Sequence, residues 1–328
     1  MAPSLRALLA GIVDYAGLFP PAQLPLDAAL RHYARYRTEP EAWMLARFVI
    51  PAAKLHEIEP HAEILASGAP FAFSVLARGG ADADAWIDGL ADDLEAVAAF
   101  RARHDDRVVV DVLEAKLPDA LLGPDRLDEL CDLLTHAVDL INEDGPPSLA
   151  PFYEPARRES WREDFAALGG ALAATNTAEL RRGRERCRVG GFKLRCGGAD
   201  PAAYPSPEQV AFALLICRET NSPFKATAGL HHPVRHFNAA ANATMHGFLN
   251  VFGAGVLGQA LKLNEAEMAA VVADEDPARF SFDGELFRWR ERAATRAQVE
   301  AARSLCVSFG SCSFDEPRDD LKKLNLLD

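Results

Sequence analysis

The chain has no apolar run approaching the roughly 20 residues that a helix needs to cross a bilayer, which argues against a membrane protein. Cysteine is scarce: six in 328 residues (Cys131, Cys187, Cys196, Cys217, Cys306 and Cys312), widely spaced and with no CxxC. In a chain of this length that spacing points to reduced thiols in the cytoplasm, not to a disulfide framework or a zinc knuckle. Positive charge is also in short supply. The net charge is −13 and the pI about 5.2, which excludes nucleic acid and anionic membrane surfaces as partners, since both demand basic surface. No GxGxxG follows the first strand-like run, so a dinucleotide fold is disfavoured. Internal repeats and low-complexity linkers are missing too. The N-terminal stretch is interrupted by Asp14 and lacks a cleavage signal, so it reads as part of the fold.

What is present is an ordinary core composition, 49% hydrophobic and 25% charged. Short apolar runs occur at 9–17, 44–51, 71–77, 108–114, 148–154, 189–196, 223–230 and 247–254. Amphipathic segments lie between them, at 26–37, 82–103, 125–138, 160–173, 206–220 and 235–246. Ser206 followed by Pro207 has the form of an N-cap with proline at the first helical position. Strand-like runs alternating with helices imply βαβ units, and eight of them imply a closed (β/α)8 TIM barrel. The reading assigns the barrel to residues 1–264 and a C-terminal helical and irregular extension, packed on it, to 265–328.

In such a barrel the chemistry sits at the C-terminal ends of the strands. Polar residues inside apolar runs are therefore the ones to weigh: Asp14, Asp111, Glu114, Glu154, Lys193, Arg195, Lys225 and Thr227. The lysines stand out because the 35 cationic residues comprise 28 Arg and only seven Lys. Arg serves an ion pair better through its planar fork, whereas a compact amine is needed where a proton must be lost and a carbonyl attacked. A second cation nearby, with desolvation, is expected to lower the pKa of Lys193 toward neutrality.

The sequences GFKLRCGG around Lys193 and FKATAGL around Lys225 resemble the class I, Schiff-base aldolases of the deoxyribose-phosphate aldolase type. The resemblance spans residues 189–230, about an eighth of the chain. It implies that Lys193 forms the imine and that Lys225 tunes it. Arg195 and Cys196 stand where that family has small hydroxyl residues.

A second constellation is His231-His232-Pro233 with His236 and His246, four of the nine histidines within sixteen residues. His232 and His236 are spaced i,i+4 and would share a helix face. This supports three readings: acid–base work by His231, substrate binding by His232, or a divalent metal on His231, His232 and His236, completed by Asp14 or Glu154. Gly197-Gly198, and Gly253 with Asn250, form a third signal, since backbone N–H groups in such turns can hold an anion. The tail SFGSCSFDEP is too polar for core; it folds over the barrel or makes a subunit contact, with Cys312 buried and not nucleophilic.

Two functions follow. The first is a cofactor-independent carbon–carbon lyase in which Lys193 forms an imine with a small carbonyl compound, phosphorylated or carboxylated. Lys225 and the proton carriers Glu154 and His231 assist, while Arg195, Thr227, Gly197, Gly198, His232, Asn250 and Gly253 bind the substrate. The second is a metal-dependent hydrolase or isomerase using the histidine cluster. A non-catalytic metabolite-binding scaffold is disfavoured, because buried polar residues cost stability. The partner in either enzyme is a small anionic molecule, and the protein is expected to be a homo-oligomer.

Overall fold

Eight segments rich in Val, Phe, Ile and Leu form the parallel staves of a barrel: β1 (Val13–Tyr15), β2 (Leu45–Pro51), β3 (Phe71–Leu76), β4 (Val108–Lys116), β5 (Ala150–Glu154), β6 (Gly191–Arg195), β7 (Phe224–Thr227) and β8 (Cys306–Ser311). A computed structural model describes residues 1–66, 68–144, 149–183, 190–198 and 200–328. Cys187 lies outside the described residues, and the other five cysteines are free thiols. Each stave pairs with its neighbours in chain order, and β8 closes the ring between β7 and β1. The fold is a (β/α)8 TIM barrel.

The helices between staves start and stop where the sequence marks them. Asp82 accepts from Ala85 N at 2.9 Å to cap the helix Ala83–His104. Ser206 and Gln209 form a reciprocal capping box at the start of Pro207–Glu219, with Pro207 at the first position. Gly183, at φ +64°, ends Trp161–Arg182 in the left-handed conformation. Their apolar faces join the outer faces of the staves in one continuous core, with Phe48, Phe73, Phe165, Phe192 and Phe224 almost wholly buried. Among the described residues, no helix is long and apolar enough to cross a membrane.

Two elements differ from the sequence reading. Residues 247–254 are not the eighth stave: Phe248–Leu261 is a helix, with every residue from Phe248 to Gly258 buried. A continuous apolar run reads the same for a buried strand and a buried helix, and its fourteen residues favour the helix. The closing stave is β8, inside the segment assigned to an extension, so the barrel is incomplete at residue 264. That segment also carries a three-stranded antiparallel sheet (280–282, 286–289, 292–295). Residues 235–246 form no helix either. Their core is a two-stranded hairpin, His236–Asn238 against Ala243–Met245.

Candidate active site

The staves bring polar residues from all eight strands together in the barrel. Lys193 on β6 and Lys225 on β7 are register partners, as their positions in adjacent parallel strands require. Both are buried, Lys225 completely. Lys193 Nζ lies 2.7 Å from Glu114 Oε2 and 2.9 Å from Glu154 Oε2. Lys225 Nζ contacts Asp14 Oδ2, donates to Ser308 Oγ at 3.2 Å and lies 3.2 Å from Glu114 Oε1. Glu114 therefore bridges the two lysines, and Ser74 Oγ donates to its Oε1 at 2.6 Å. Ser308 Oγ donates to Asp14 at 2.6 Å. At the flanks Arg195 Nε donates to Glu154 Oε1 at 2.8 Å. Arg47 sits 3.6 Å from Asp14 and makes a two-pronged contact with Asp111.

The result is a chain of alternating charge: Arg47, Asp14, Lys225, Glu114, Lys193, Glu154, Arg195. Alternation is what permits so many ions in a barrel interior, since each is compensated by partners within hydrogen-bond range. It also fixes protonation. Burial opposes ionisation of Glu114, yet the two lysines outweigh it and bring the carboxyl down to about 2. Burial likewise opposes the charge on Glu154, but Lys193 and Arg195 hold it below its ordinary value. For Lys193, burial favours the neutral amine, while Glu114 and Glu154 favour the ammonium more strongly; its pKa is raised. The expected shift of Lys193 toward neutrality is thus outweighed by its two carboxylate partners. The reason is that Glu114 stands between the two cations.

Above this floor opens a cavity of about 610 Å³. Glu114, Lys193, Arg195, Thr227, Gly198, His231 and His232 line it, with apolar wall from Phe19, Pro20, Val49, Leu76, Tyr204 and Met245. The hairpin at 236–245 contributes Asn238, Ala240 and Ala241 to its rim. Ala228, at φ +58°, lies on the cavity wall immediately before Gly229, at φ +72°. A left-handed alanine is strained by about 1 kcal/mol or more, the kind of cost found where a loop is shaped for a ligand.

The remaining sequence candidates fall differently. Glu154, Arg195, Thr227, Gly198, His231 and His232 reach the site. Gly197 does not line the cavity; a Cβ there would come within 2.8 Å of Gly229, so it lets the loops after β6 and β7 touch. Asn250 is an internal brace: its side chain donates to Val271 O at 2.9 Å and Asp274 O at 2.7 Å, and accepts from Arg235 N at 2.8 Å. Gly253 packs under Phe287, where a Cβ would sit 3.0 Å from the ring. Both lost their expected place when the eighth stave moved to 306–311.

The three-histidine metal set does not assemble. Without a helix at 235–246 the i,i+4 argument fails: His232 pairs with Asp320, and His236 packs edge-on against the His232 ring at 4.4 Å between centroids. His231 turns instead to Cys312 and Glu316, which lie 3.7 and 3.2 Å from its Nδ1. Burial opposes its protonation, but these two partners prevail and raise its pKa to about 9. His246 is a buried structural residue. Its Nε2 donates to Pro205 O at 2.7 Å and Arg235 donates to its Nδ1 at 3.0 Å; burial lowers its pKa to about 4, so it is neutral at pH 7.

The sequence reading gave no role in the imine site to Asp14 or Glu114, though it weighed both, and did not name Ser74, Ser308 or Arg47. Asp14 and Glu114 carried a signal, as carboxylates inside apolar strand runs. Ser74 and Ser308 carried none that separates them from ordinary strand serines.

The chain matches no protein-family model and no curated protein. Among solved structures it is similar to one titled a "putative deoxyribose-phosphate aldolase" from Toxoplasma gondii ME49. The two share 10% identity, with a TM-score of 0.46, over 98% of this chain and 93% of that one. The class assigned to the protein, a (β/α)8 barrel with a cavity over a floor of charged strand residues, rests on its own topology and side-chain contacts.

Proposed function

We propose that the protein is a lyase of the class I aldolase kind, in which Lys193 forms an imine with a small carbonyl substrate. The observation that carries this reading is a buried amine at the floor of an open cavity, flanked by two carboxylates within 3 Å. A protonated amine is not a nucleophile, so the first step is proton transfer from Lys193 to Glu114 or Glu154, both in hydrogen-bond reach. Either carboxylate can accept that proton once a carbonyl group enters and displaces one of the two contacts. The neutral amine then adds to the carbonyl carbon, and the carbinolamine loses water to give an iminium ion. This ion is the electron sink for cleaving the bond between the carbons α and β to it. The proton of the β-hydroxyl leaves as that bond breaks, and the enamine regains a proton at carbon before hydrolysis frees Lys193.

Lys225 stabilises the Glu114 carboxylate and, through Asp14 and Ser308, is locked in place. Its task in this reading is to keep Glu114 ionised and oriented, a positioning role, while the Lys193 pKa is set by the balance of the whole chain of charge. Arg195, over half exposed on the cavity wall, is the cation offered to a carboxylate or phosphate on the substrate.

Borohydride reduction in the presence of a panel of small aldehydes and ketones tests the reading. A single adduct on Lys193, lost in Lys193→Arg, is expected by mass spectrometry. No adduct with any carbonyl, or equal labelling of exposed lysines such as Lys54, sinks it.

A further inference from the structure

On the wall of the same cavity, the loop after β7 and the loop after β8 bring together a second cluster that the imine chemistry does not use. His231 Nδ1, Cys312 Sγ and Glu316 Oε2 point at one another; ligand atoms of all three residues lie within 4.8 Å. Cys312 is buried, His231 is 12% exposed in its side chain and Glu316 is half exposed. All three line the cavity.

The arrangement is the wrong one for a nucleophile. In a thiol–imidazole–carboxylate relay the thiol and the carboxylate meet opposite nitrogens of the ring, so that a proton can pass through it. Here Cys312 and Glu316 both approach Nδ1, at 3.7 and 3.2 Å. It is the right one for a cation. Bonds of about 2.3 Å to sulfur and about 2.0–2.1 Å to nitrogen and oxygen, at tetrahedral angles, put S and N about 3.6 Å apart and N and O about 3.3 Å apart. The two separations from Nδ1 match to within about 0.2 Å, and the sulfur and carboxylate oxygen lie within 4.8 Å of each other.

We propose that His231, Cys312 and Glu316 form a binding site for one divalent ion of the zinc class. Thiolate, imidazole and carboxylate together suit zinc and its surrogate cobalt, whereas magnesium and calcium take oxygen ligands. Binding displaces the Cys312 thiol proton and the Nδ1 proton of His231, leaving the imidazole protonated on Nε2. Three protein ligands leave a fourth position, and because all three residues line the cavity, water or an oxygen atom of the substrate would fill it. The supporting loop is built for this placement. Ser311 Oγ donates to Ser313 O at 2.6 Å, and Glu316 N donates to Ser313 Oγ at 3.2 Å, fixing Cys312 and the first turn of the helix Asp315–Lys323. The site involves neither lysine, so it stands or falls independently of the imine.

The test uses the full chain, stripped with a chelator and titrated with zinc against a chromophoric competitor, and separately with cobalt. One zinc per chain is expected, with a thiolate-to-cobalt charge-transfer band. Loss of an outer partner of a metal ligand costs 10–100-fold, so removing a ligand should weaken zinc binding by more than about 100-fold in Cys312→Ser and in Glu316→Gln. His236→Ala should leave affinity unchanged. Zinc should also protect Cys312, and no other cysteine, from alkylation in the wild type, a readout that needs no variant to fold. Wild-type affinity no better than that of Cys312→Ser, or zinc that leaves Cys312 as reactive as before, overturns the proposal.

Discussion

Glu114 is the residue whose loss should be felt most widely, because it compensates both lysines. At an effective dielectric of about 20, its contacts at 2.7 and 3.2 Å are worth about 6 and 5 kcal/mol before desolvation is subtracted. The net is smaller and can be read from the titration. A carboxyl brought from 4.5 to about 2 contributes about 3 kcal/mol to folding. Because the folded pKa is the lower one, that stability is fully present above about pH 4.5 and is lost as the pH falls toward 2. Glu114→Gln keeps the shape and removes the charge. Urea unfolding should therefore show the variant about 3 kcal/mol less stable than wild type at pH 7, within the range known for breaking a buried pair. The gap should close as the wild-type carboxyl protonates. In borohydride trapping, the variant's pH midpoint should move downward, since one of the two anions holding the Lys193 proton is gone. A stability gap that is absent, or that stays constant from pH 7 to pH 3, would refute the alternating-charge account of the site.

Lys225→Met removes a cation facing Glu114 and Asp14, so Lys193 should hold its proton more tightly and adduct formation should require higher pH. The same variant should be about 3–5 kcal/mol less stable to urea than wild type, from the buried Asp14 left short of a partner. His246, lowered from 6.5 to about 4, makes the native state lose about 3 kcal/mol as the pH falls from 6.5 toward 4, because the unfolded chain takes up that proton first. NMR should find its ring still neutral at pH 5.5. Asn250→Ala strands the Asp274 carbonyl and the Arg235 N–H, takes one of two donors from Val271 O, and should cost about 2–3 kcal/mol, measured by denaturation, while leaving the Lys193 adduct intact. An equal loss of labelling would return Asn250 to the site.

The period of the sequence revealed seven of the eight staves, because each is a short apolar run bounded by turn residues or a capped helix. The eighth was hidden by competition. GFLNVFGAGV is more apolar than CVSFGS, yet it is a helix whose glycines allow close approach: a Cβ on Gly255 would come within 2.5 Å of Cys306 Sγ. Hydrophobicity marks burial and does not by itself choose the secondary structure. Of the site, Lys193, Lys225, Glu154 and Arg195 were legible as charges where apolar residues belong. Their couplings were not. Which carboxylate lies between the lysines depends on the register across β4, β6 and β7, and no single-strand pattern contains it. The partners of His231 come from 81 and 85 residues away, across the junction of β7 with β8, so no local spacing could have paired them.

The position of β8 bears on how the molecule is assembled. Seventy-eight residues separate it from β7, whereas β1, its other neighbour, lies almost three hundred residues upstream. Until it docks, β1 and β7 each present an unpaired row of backbone donors and acceptors, the condition under which strands recruit one another between molecules. A chain held at that stage would also lack Ser308, Cys312 and Glu316. Closing the barrel therefore depends on distant contacts, and a cut or an unfolding event within 228–305 should lead to aggregates more readily than one in any helix between β2 and β6.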